Sequence, residues 1–343
     1  MAERFQGTAV VDAQARRRVL VVGASGTIGQ TTTRALLSRG HEVVCIVRLR
    51  AGFGGSLSQH DLASLLPGAE LRVAQVDDPD SLTRDGLRGE TFDAVVSCLA
   101  SRNGAPSDAW AIDHAAHLNV LTAAHAAGAG HFVLLSALCV QKPRLAFQHA
   151  KLAFEQALMD SGMDYSIVRP TAFFKSLSGQ VARVKAGKPY LLFGDGRLTA
   201  CKPISDRDLA DYLVECLEDP ARRNRILPIG GPGPALTPRE QGEQLFALLG
   251  RAPLFRQIPL AVIELAVTVL TGASWIFPRL RDKAEFARIA RYYATESMLV
   301  WNAADQCPDA EATPSTGSDR LVDYHAELLA RTDANLRSDH SLF

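Results

Sequence analysis

RVLVVGASGTIGQ, residues 18 to 30, carries the decision about the fold. Val19 to Val22 form a continuous apolar run, the pattern of a strand buried on both faces. Gly23, Gly26 and Gly29 follow at G-x-x-G-x-x-G spacing, and from Ile28 a helical pattern of apolar residues runs through Leu36 and Leu37. Strand, glycine turn and helix in this order open a dinucleotide-binding βαβ unit. The glycines permit a tight turn, close approach of backbone N–H groups to a pyrophosphate, and close packing of helix on strand. The helix N-terminus adds partial positive charge. Gly23, Ser25, Gly26, Thr27, Ile28 and Gly29 are therefore assigned to the pyrophosphate. A tight turn without ligand is the competing reading.

Working outward, His41 to Val47 reads as the second strand, and Arg48 and Arg50 stand at its end. An acidic residue at that point holds a ribose 2′-hydroxyl in NAD-binding proteins, whereas arginine accommodates a 2′-phosphate. No Asp or Glu occurs between Glu42 and Asp61. Arginine grips a phosphate by bidentate hydrogen bonds, so the expected cofactor is NADPH rather than NADH; two solvated loop arginines are the alternative. Leu71 to Val76 predicts a third strand, with Asp77 placed to meet the adenine. Phe92 to Leu99 predicts a fourth, and its continuation through Ser101 would lie beneath the cofactor. A helix over 111–127 carries His114, His117 and His125, read as a polar face because no acidic or sulfur partner accompanies them; no metal site is expected. His131 to Leu135 is a fifth strand, 147–160 a helix, and Tyr165 to Val168 a strand running into Arg169-Pro170-Thr171.

This alternation predicts an α/β fold, a doubly wound parallel sheet of the Rossmann type, with a smaller C-terminal α+β substrate-binding part. The expected organisation is a flexible leader (1–17), an NADP-binding domain (18–175), and a substrate-binding region (176–343) interleaved with the last sheet strands. Within that region 188–193, Gly194-Asp195-Gly196 and 198–202 read as strand, turn, strand. Thr237-Pro238-Arg239-Glu240 is a capping box, 285–293 looks helical, and 305–319 reads as a loop. IPLAVIELAVTVLTGASWIFP, residues 258 to 278, is about long enough to span a bilayer. Glu264 within it and proline at both ends favour a buried helix. A surface helix making peripheral membrane contact through Ile258–Phe277 is the second reading.

Composition sets outer bounds. The 343 residues balance 37 Lys and Arg against 37 Asp and Glu, so no overall basic field attracts nucleic acid, and none is expected as a partner. Six cysteines are scattered without C-x-x-C spacing, which suits reduced thiols and a cytoplasmic location. The N-terminal stretch has no continuous apolar core of a secretory signal.

The layout over about residues 18 to 230 resembles the extended and atypical short-chain dehydrogenase/reductase superfamily, NmrA-like. In its usual members a serine after the fifth strand and a Tyr-x-x-x-Lys on the next helix perform acid–base work. Here Lys151 stands in the lysine place, with Phe147 four residues earlier. Phenyl donates no proton, so ordinary alcohol–ketone chemistry loses its acid. Longer runs are similar to the 3,8-divinyl (proto)chlorophyllide 8-vinyl reductases: Ser136 to Pro143 (SALCVQKP), Phe147 to Lys151 (FQHAK), Ser166 to Leu177 (SIVRPTAFFKSL), Lys188 to Ser205 (KPYLLFGDGRLTACKPIS) and Tyr292 to Val300 (YYATESMLV).

That resemblance implies NADPH-dependent reduction of a vinyl group to ethyl on a magnesium tetrapyrrole, divinyl protochlorophyllide a or divinyl chlorophyllide a, in (bacterio)chlorophyll synthesis. It implies Lys151 as the catalytic residue, holding the nicotinamide ribose and available to relay a proton. Phe147, Phe173 and Phe174 would wall the macrocycle, Lys175 would meet its propionate, and Tyr292 and Tyr293 are weaker candidates. The location it implies is cytoplasmic or peripheral to the photosynthetic membrane. Two rivals stay open: a non-enzymatic NADP(H)-sensing regulator or scaffold, and a reductase of a smaller conjugated substrate.

Overall fold

The computed structural model describes residues 16–48, 64 and 66–331. Arg50, the GFGGS loop after it and most of the leader lie outside the described residues. Seven parallel strands form one sheet: β1 (Arg18–Val22), β2 (Glu42–Val47), β3 (Glu70–Val73), β4 (Ala94–Ser97), β5 (His131–Leu135), β6 (Asp164–Pro170) and β8 (Arg225–Ile229), in the order β3-β2-β1-β4-β5-β6-β8. The third and fourth strands are shorter than the apolar runs predicted.

The alternation of side chains explains why the strands read as continuous apolar runs. Leu20 and Val22 point to one face, where they meet helix α2 (His117–Ala126) and helix α3 (Ala146–Asp160) in a cluster with Val120, Phe132, Phe154 and Leu158. Val19 and Val21 point to the other, where α1 (Thr27–Ser38) and α4 (Asp206–Glu218) supply Leu36, Leu209, Leu213 and Leu217. Both faces are covered, so neither needs polar residues. The strand order reverses between β1 and β4, which places a crevice at the carboxyl ends of those strands, where open α/β sheets hold ligands.

The second part differs from its sequence reading in three places. β7 (Tyr190–Phe193) does not fold back on 198–202; it pairs in parallel with β9 (Phe255–Ile258), and Cys201 makes only isolated bridges. The Pro/Ser/Thr-rich segment contains β11 (Cys307–Asp309), antiparallel to β10 (Val300–Asn302). The apolar stretch forms α6 (Leu260–Ile276), but it is not a buried helix: only Ile263, Val267 and Ser274 are covered. It packs antiparallel on α7 (Arg281–Thr295), tied by Arg291 Nε to Glu264 at 2.7 Å and Arg288 to Thr271 Oγ1 at 3.1 Å. The capping box holds: α5 (Pro238–Leu248) starts with Glu240 N–H donating to Thr237 Oγ1 at 3.3 Å, and Thr237 N–H to the Glu240 carboxylate at 2.8 Å.

Candidate active site

The glycine turn is built for a close-lying ligand. Gly23 has φ +75°, and a Cβ there would lie 2.5 Å from the Cys98 carbonyl carbon. A Cβ on Gly29 would lie 2.2 Å from the Gly23 carbonyl oxygen, so α1 can seat against β1 only with glycine at this point. Gly26 is the N-cap of α1 and gives its first N–H groups no side-chain partner. They are left to a ligand or to water. This open cradle of backbone donors fits a dinucleotide pyrophosphate. Arg48 follows β2 directly, half-buried at the sheet edge; Asp77 is exposed in the turn after β3.

Lys175 arrives at this cradle from another part of the chain. Its Nζ donates to Thr27 Oγ1 at 3.1 Å, in the first turn of α1. This places Lys175 beside the glycine cradle, whereas the sequence reading assigned it to the substrate propionate. Burial raises the Asp206 carboxyl above its ordinary range, and the nearby Lys175 charge opposes that.

Lys151 projects from α3 and forms a 2.9 Å ion pair with Asp113, whose side chain is wholly buried. The same Asp113 oxygen accepts the Ser101 N–H at 3.2 Å, which ties the loop after β4 to the pair. Asp113 escaped the sequence reading, although a lone carboxylate inside AIDHAAHLNVL is a visible anomaly. Ser136, at the end of β5, donates its hydroxyl to the buried Glu155, which Arg169 also engages with Nε at 3.2 Å.

His117 is not on a polar face. It is buried, with Nδ1 2.9 Å from the Ile112 carbonyl and Nε2 2.9 Å from Ser97 Oγ. A carbonyl only accepts, so Nδ1 carries the proton and Ser97 donates to Nε2. Burial pushes its pKa down to about 4. His125 is exposed and His114 meets Trp110 edge to face. Burial also pushes the Cys45 thiol up to about 11 and those of Cys98, Cys201 and Cys216 to about 12, which leaves them unreactive.

Beyond the crevice lies a cavity of about 650 Å³, within the range of small-molecule sites. Its walls are mainly apolar and include Ser136, Lys151, Phe173, Leu198, Tyr293 and Met298. Of the predicted aromatic walls, Phe173 lines it. Phe174 does not: it is 3% exposed and packs on Tyr324. Phe147 packs into a small cluster with Cys139, Ile289 and Tyr293. Tyr292 turns inward, its hydroxyl donating to the carbonyls of Cys139 (2.9 Å) and Lys142 (3.2 Å). Tyr293 faces the cavity. The loop that follows β7 and the C-terminal end of α7 also line the space; Tyr293 on the latter was a weaker candidate of the sequence reading, and the loop was not read as a wall.

Comparison with known proteins agrees with this geometry. A family model described as NAD(P)H-binding matches residues 23–220. The NADPH-dependent quinone oxidoreductase of Escherichia coli, solved with NADPH, superposes with a TM-score of 0.63 at 16% identity, covering 90% of this chain and 99% of that one; it shares the fold. The chloroplastic divinyl chlorophyllide a 8-vinyl-reductase of Oryza sativa subsp. indica is 50% identical over 316 residues, 91% of this chain and 78% of the relative. That of Zea mays is 49% identical over 316 residues, 91% of this chain and 79% of the relative. Identity at this level extends over nine tenths of the chain, and the chain belongs to the divinyl chlorophyllide a 8-vinyl-reductase family.

Proposed function

We propose that this chain reduces the 8-vinyl group of divinyl chlorophyllide a or divinyl protochlorophyllide a to ethyl, with NADPH as reductant, in (bacterio)chlorophyll synthesis. The observation that carries this is half-identity, over nine tenths of the chain, to reductases named for that activity. Phe147 in place of the usual tyrosine agrees with it, because a conjugated macrocycle can delocalise charge without a protein oxyanion hole.

When bound, NADPH supplies the hydride. Gly23, Ser25, Gly26, Thr27, Ile28 and Gly29 hold its pyrophosphate, with Lys175 adding a cation at Thr27. Arg48, and Arg50 beside it in sequence, hold the 2′-phosphate; Asp77 and Ser101 border the adenine and nicotinamide ends. Lys151 holds the nicotinamide ribose and is itself oriented by Asp113. Phe173 walls the pigment, and Phe147 and Phe174 support that wall from behind. Holding two flat molecules face to face supplies much of the rate, since alignment alone is worth about 7–11 kcal/mol in well-oriented reactions.

The enzyme meets its pigment at the photosynthetic membrane through the α6–α7 hairpin. Among the described residues no helix is long and apolar enough to cross a membrane. Instead the hairpin tip exposes Trp275 (85%), Ile276 (74%) and Phe277, with Arg279, Arg281 and Lys283 exposed beside them. A convex apolar ridge with adjoining cations suits an anionic bilayer surface, which moulds around it, better than a rigid protein partner needing a groove.

The test is direct. Purified protein, NADPH and divinyl chlorophyllide are mixed, and pigment mass and spectrum are followed. A gain of two hydrogens supports the reductase. Unchanged pigment with tight NADPH binding favours the sensing regulator instead.

A further inference from the structure

Vinyl reduction needs one hydride and one proton. On the reductase reading above, the proton has no source at position 147. The cavity wall offers several polar groups, and most are already engaged. Ser136 gives its hydroxyl hydrogen to Glu155, and Thr171 gives its own to the Lys202 carbonyl. Glu296 is held by Lys142 at 2.6 Å and Arg144 at 2.8 Å, which keeps it an acceptor. Arg183 donates to the Pro189 carbonyl at 2.7 Å, and a guanidinium does not release its proton. Tyr190 belongs to a different apolar cluster, around Val184 and Phe246, with its hydroxyl on Gln180. Lys151 is committed to Asp113.

Tyr293 differs in one respect: its hydroxyl is engaged only by the Cys139 side chain, and a thiol sulfur is a weak acceptor. It comes from α7, yet it packs with Phe147, Ala137, Cys139 and Ala172 in one cluster. Ala137 and Ala172 also line the cavity, within two residues of the ends of β5 and β6. The phenol therefore reaches the carboxyl edge of the sheet beside the very position that has lost its tyrosine. Its neighbour Tyr292 cannot share the task, because its hydroxyl is turned to two interior carbonyls.

We propose that Tyr293 is the catalytic acid of the vinyl reduction. With hydride on the terminal vinyl carbon, the electron pair of the C=C bond is left on the inner carbon and shared with the macrocycle. A C–H bond forms at the inner carbon as the Tyr293 O–H bond breaks. The resulting phenolate recovers a proton from water. Burial holds the Tyr293 phenol well above its ordinary value, so it enters each turnover protonated.

The experiment uses the full chain with NADPH and divinyl chlorophyllide. In Tyr293→Phe, pigment binding (by fluorescence quenching), KM and the melting midpoint stay near wild type, while kcat falls by about 10²–10⁴, the usual worth of a general acid. In D2O the wild-type ethyl product carries one deuterium at one of the two diastereotopic positions of the inner carbon; in residual Tyr293→Phe product the single deuterium is distributed over both positions. Tyr292→Phe lowers the melting midpoint but keeps kcat per folded molecule. A Tyr293→Phe enzyme with wild-type kcat overturns the proposal, as does a wild-type label spread equally over both positions, which decides the matter even should the variant not fold. Wild-type protein that leaves the pigment unreduced overturns the reductase reading itself, a separate outcome.

Discussion

Lys151 Nζ lies 2.9 Å from Asp113 Oδ1, and the Asp113 carboxylate has no exposed surface. Its second oxygen has no hydrogen-bond partner among the described residues. The pair joins three segments: α3 through Lys151, the wide turn before α2 through Asp113, and the loop after β4 through the Ser101 N–H. A lysine held this way would be pre-positioned for the nicotinamide ribose of the proposed cofactor. It is also structural, because the buried carboxylate depends on it for compensation.

Removing the lysine therefore has two effects. Lys151→Ala should reduce turnover sharply and should also destabilise the fold by about 3–5 kcal/mol, the cost of stranding one member of a buried pair. The double variant Lys151→Met with Asp113→Asn removes the stranded charge. It should recover much of the stability and none of the turnover. Urea midpoints and initial rates on the same preparations check both; recovery of activity in the double variant would falsify the ribose role.

Two cations are assigned to different parts of the cofactor, and the difference is measurable. Arg48→Ala should weaken NADPH far more than NADH, since only NADPH carries the 2′-phosphate. Lys175 sits at Thr27, in the first turn of α1, where the proposed site would hold the pyrophosphate that both cofactors share. Lys175→Ala should weaken both equally. Calorimetric titration with each cofactor separates the two, and equal losses in Arg48→Ala would remove it from the 2′-phosphate.

Gly29→Ala should abolish cofactor binding and lower stability. Its new methyl carbon would meet the Gly23 carbonyl oxygen at 2.2 Å, a backbone contact that cannot relax without moving α1 off β1. Gly26→Ala is the informative comparison. There the nearest atom is 3.4 Å away, so the fold should tolerate it, and any loss of NADPH affinity reports the ligand's own approach. A Gly26→Ala protein binding NADPH at wild-type strength would mean the cofactor does not close on this residue.

Acid should destabilise the protein over a defined window. Burial pushes His117, His131 and His325 each down to about 4. The unfolded chain takes up these protons near pH 6.5, while the folded chain does so only near 4. Stability is therefore complete above about pH 6.5 and is lost progressively as pH falls toward 4. His325 is the cleanest test, because it is 2% exposed and neither ring nitrogen has a partner among the described residues. His325→Leu should leave stability at pH 7 equal or higher and should reduce the loss between pH 7 and 5. An unchanged slope would assign the acid sensitivity elsewhere.

The glycine turn, the sheet and the place of Arg48 at the end of β2 were legible because each depends on local spacing. Gly23 to Gly29, the apolar runs of β1, β2 and β5, and Arg48 after β2 are short-range signals. What was not legible depends on chain segments far apart in sequence. Lys175 meets Thr27 across 148 residues, and β7 finds its parallel partner β9 rather than the nearer segment after its turn. Phe173 and Phe174 are adjacent and chemically identical, yet one faces the cavity and the other Tyr324, a choice made by the short helix Phe174–Leu177 that begins between them. His117 read as polar because its partners, Ser97 and the Ile112 carbonyl, are invisible to periodicity.

The same limit applies to α6, whose apolar composition suggested burial although the tertiary fold leaves most of it uncovered. Its antiparallel pairing with α7 puts Trp275, Ile276 and Phe277 at the far tip, away from the end where Tyr293 and Ala294 reach the cavity wall. A bilayer that takes up the tip would thus hold the cavity beside its surface rather than within it. Vesicles containing phosphatidylglycerol should sediment the wild-type protein at low salt. Replacing Trp275, Ile276 and Phe277 with serine should release it at every salt concentration. Replacing Arg279, Arg281 and Lys283 with serine should weaken binding by about 1 kcal/mol per cation and abolish its salt dependence. Turnover of detergent-dispersed pigment should survive both sets of changes, because none of these residues touches the cavity. Wild-type protein that remains in the supernatant, or that sediments equally with purely zwitterionic vesicles, would remove the anionic surface as its partner; concentration-dependent dimers lost in the serine variants would assign the ridge to a second copy of the chain.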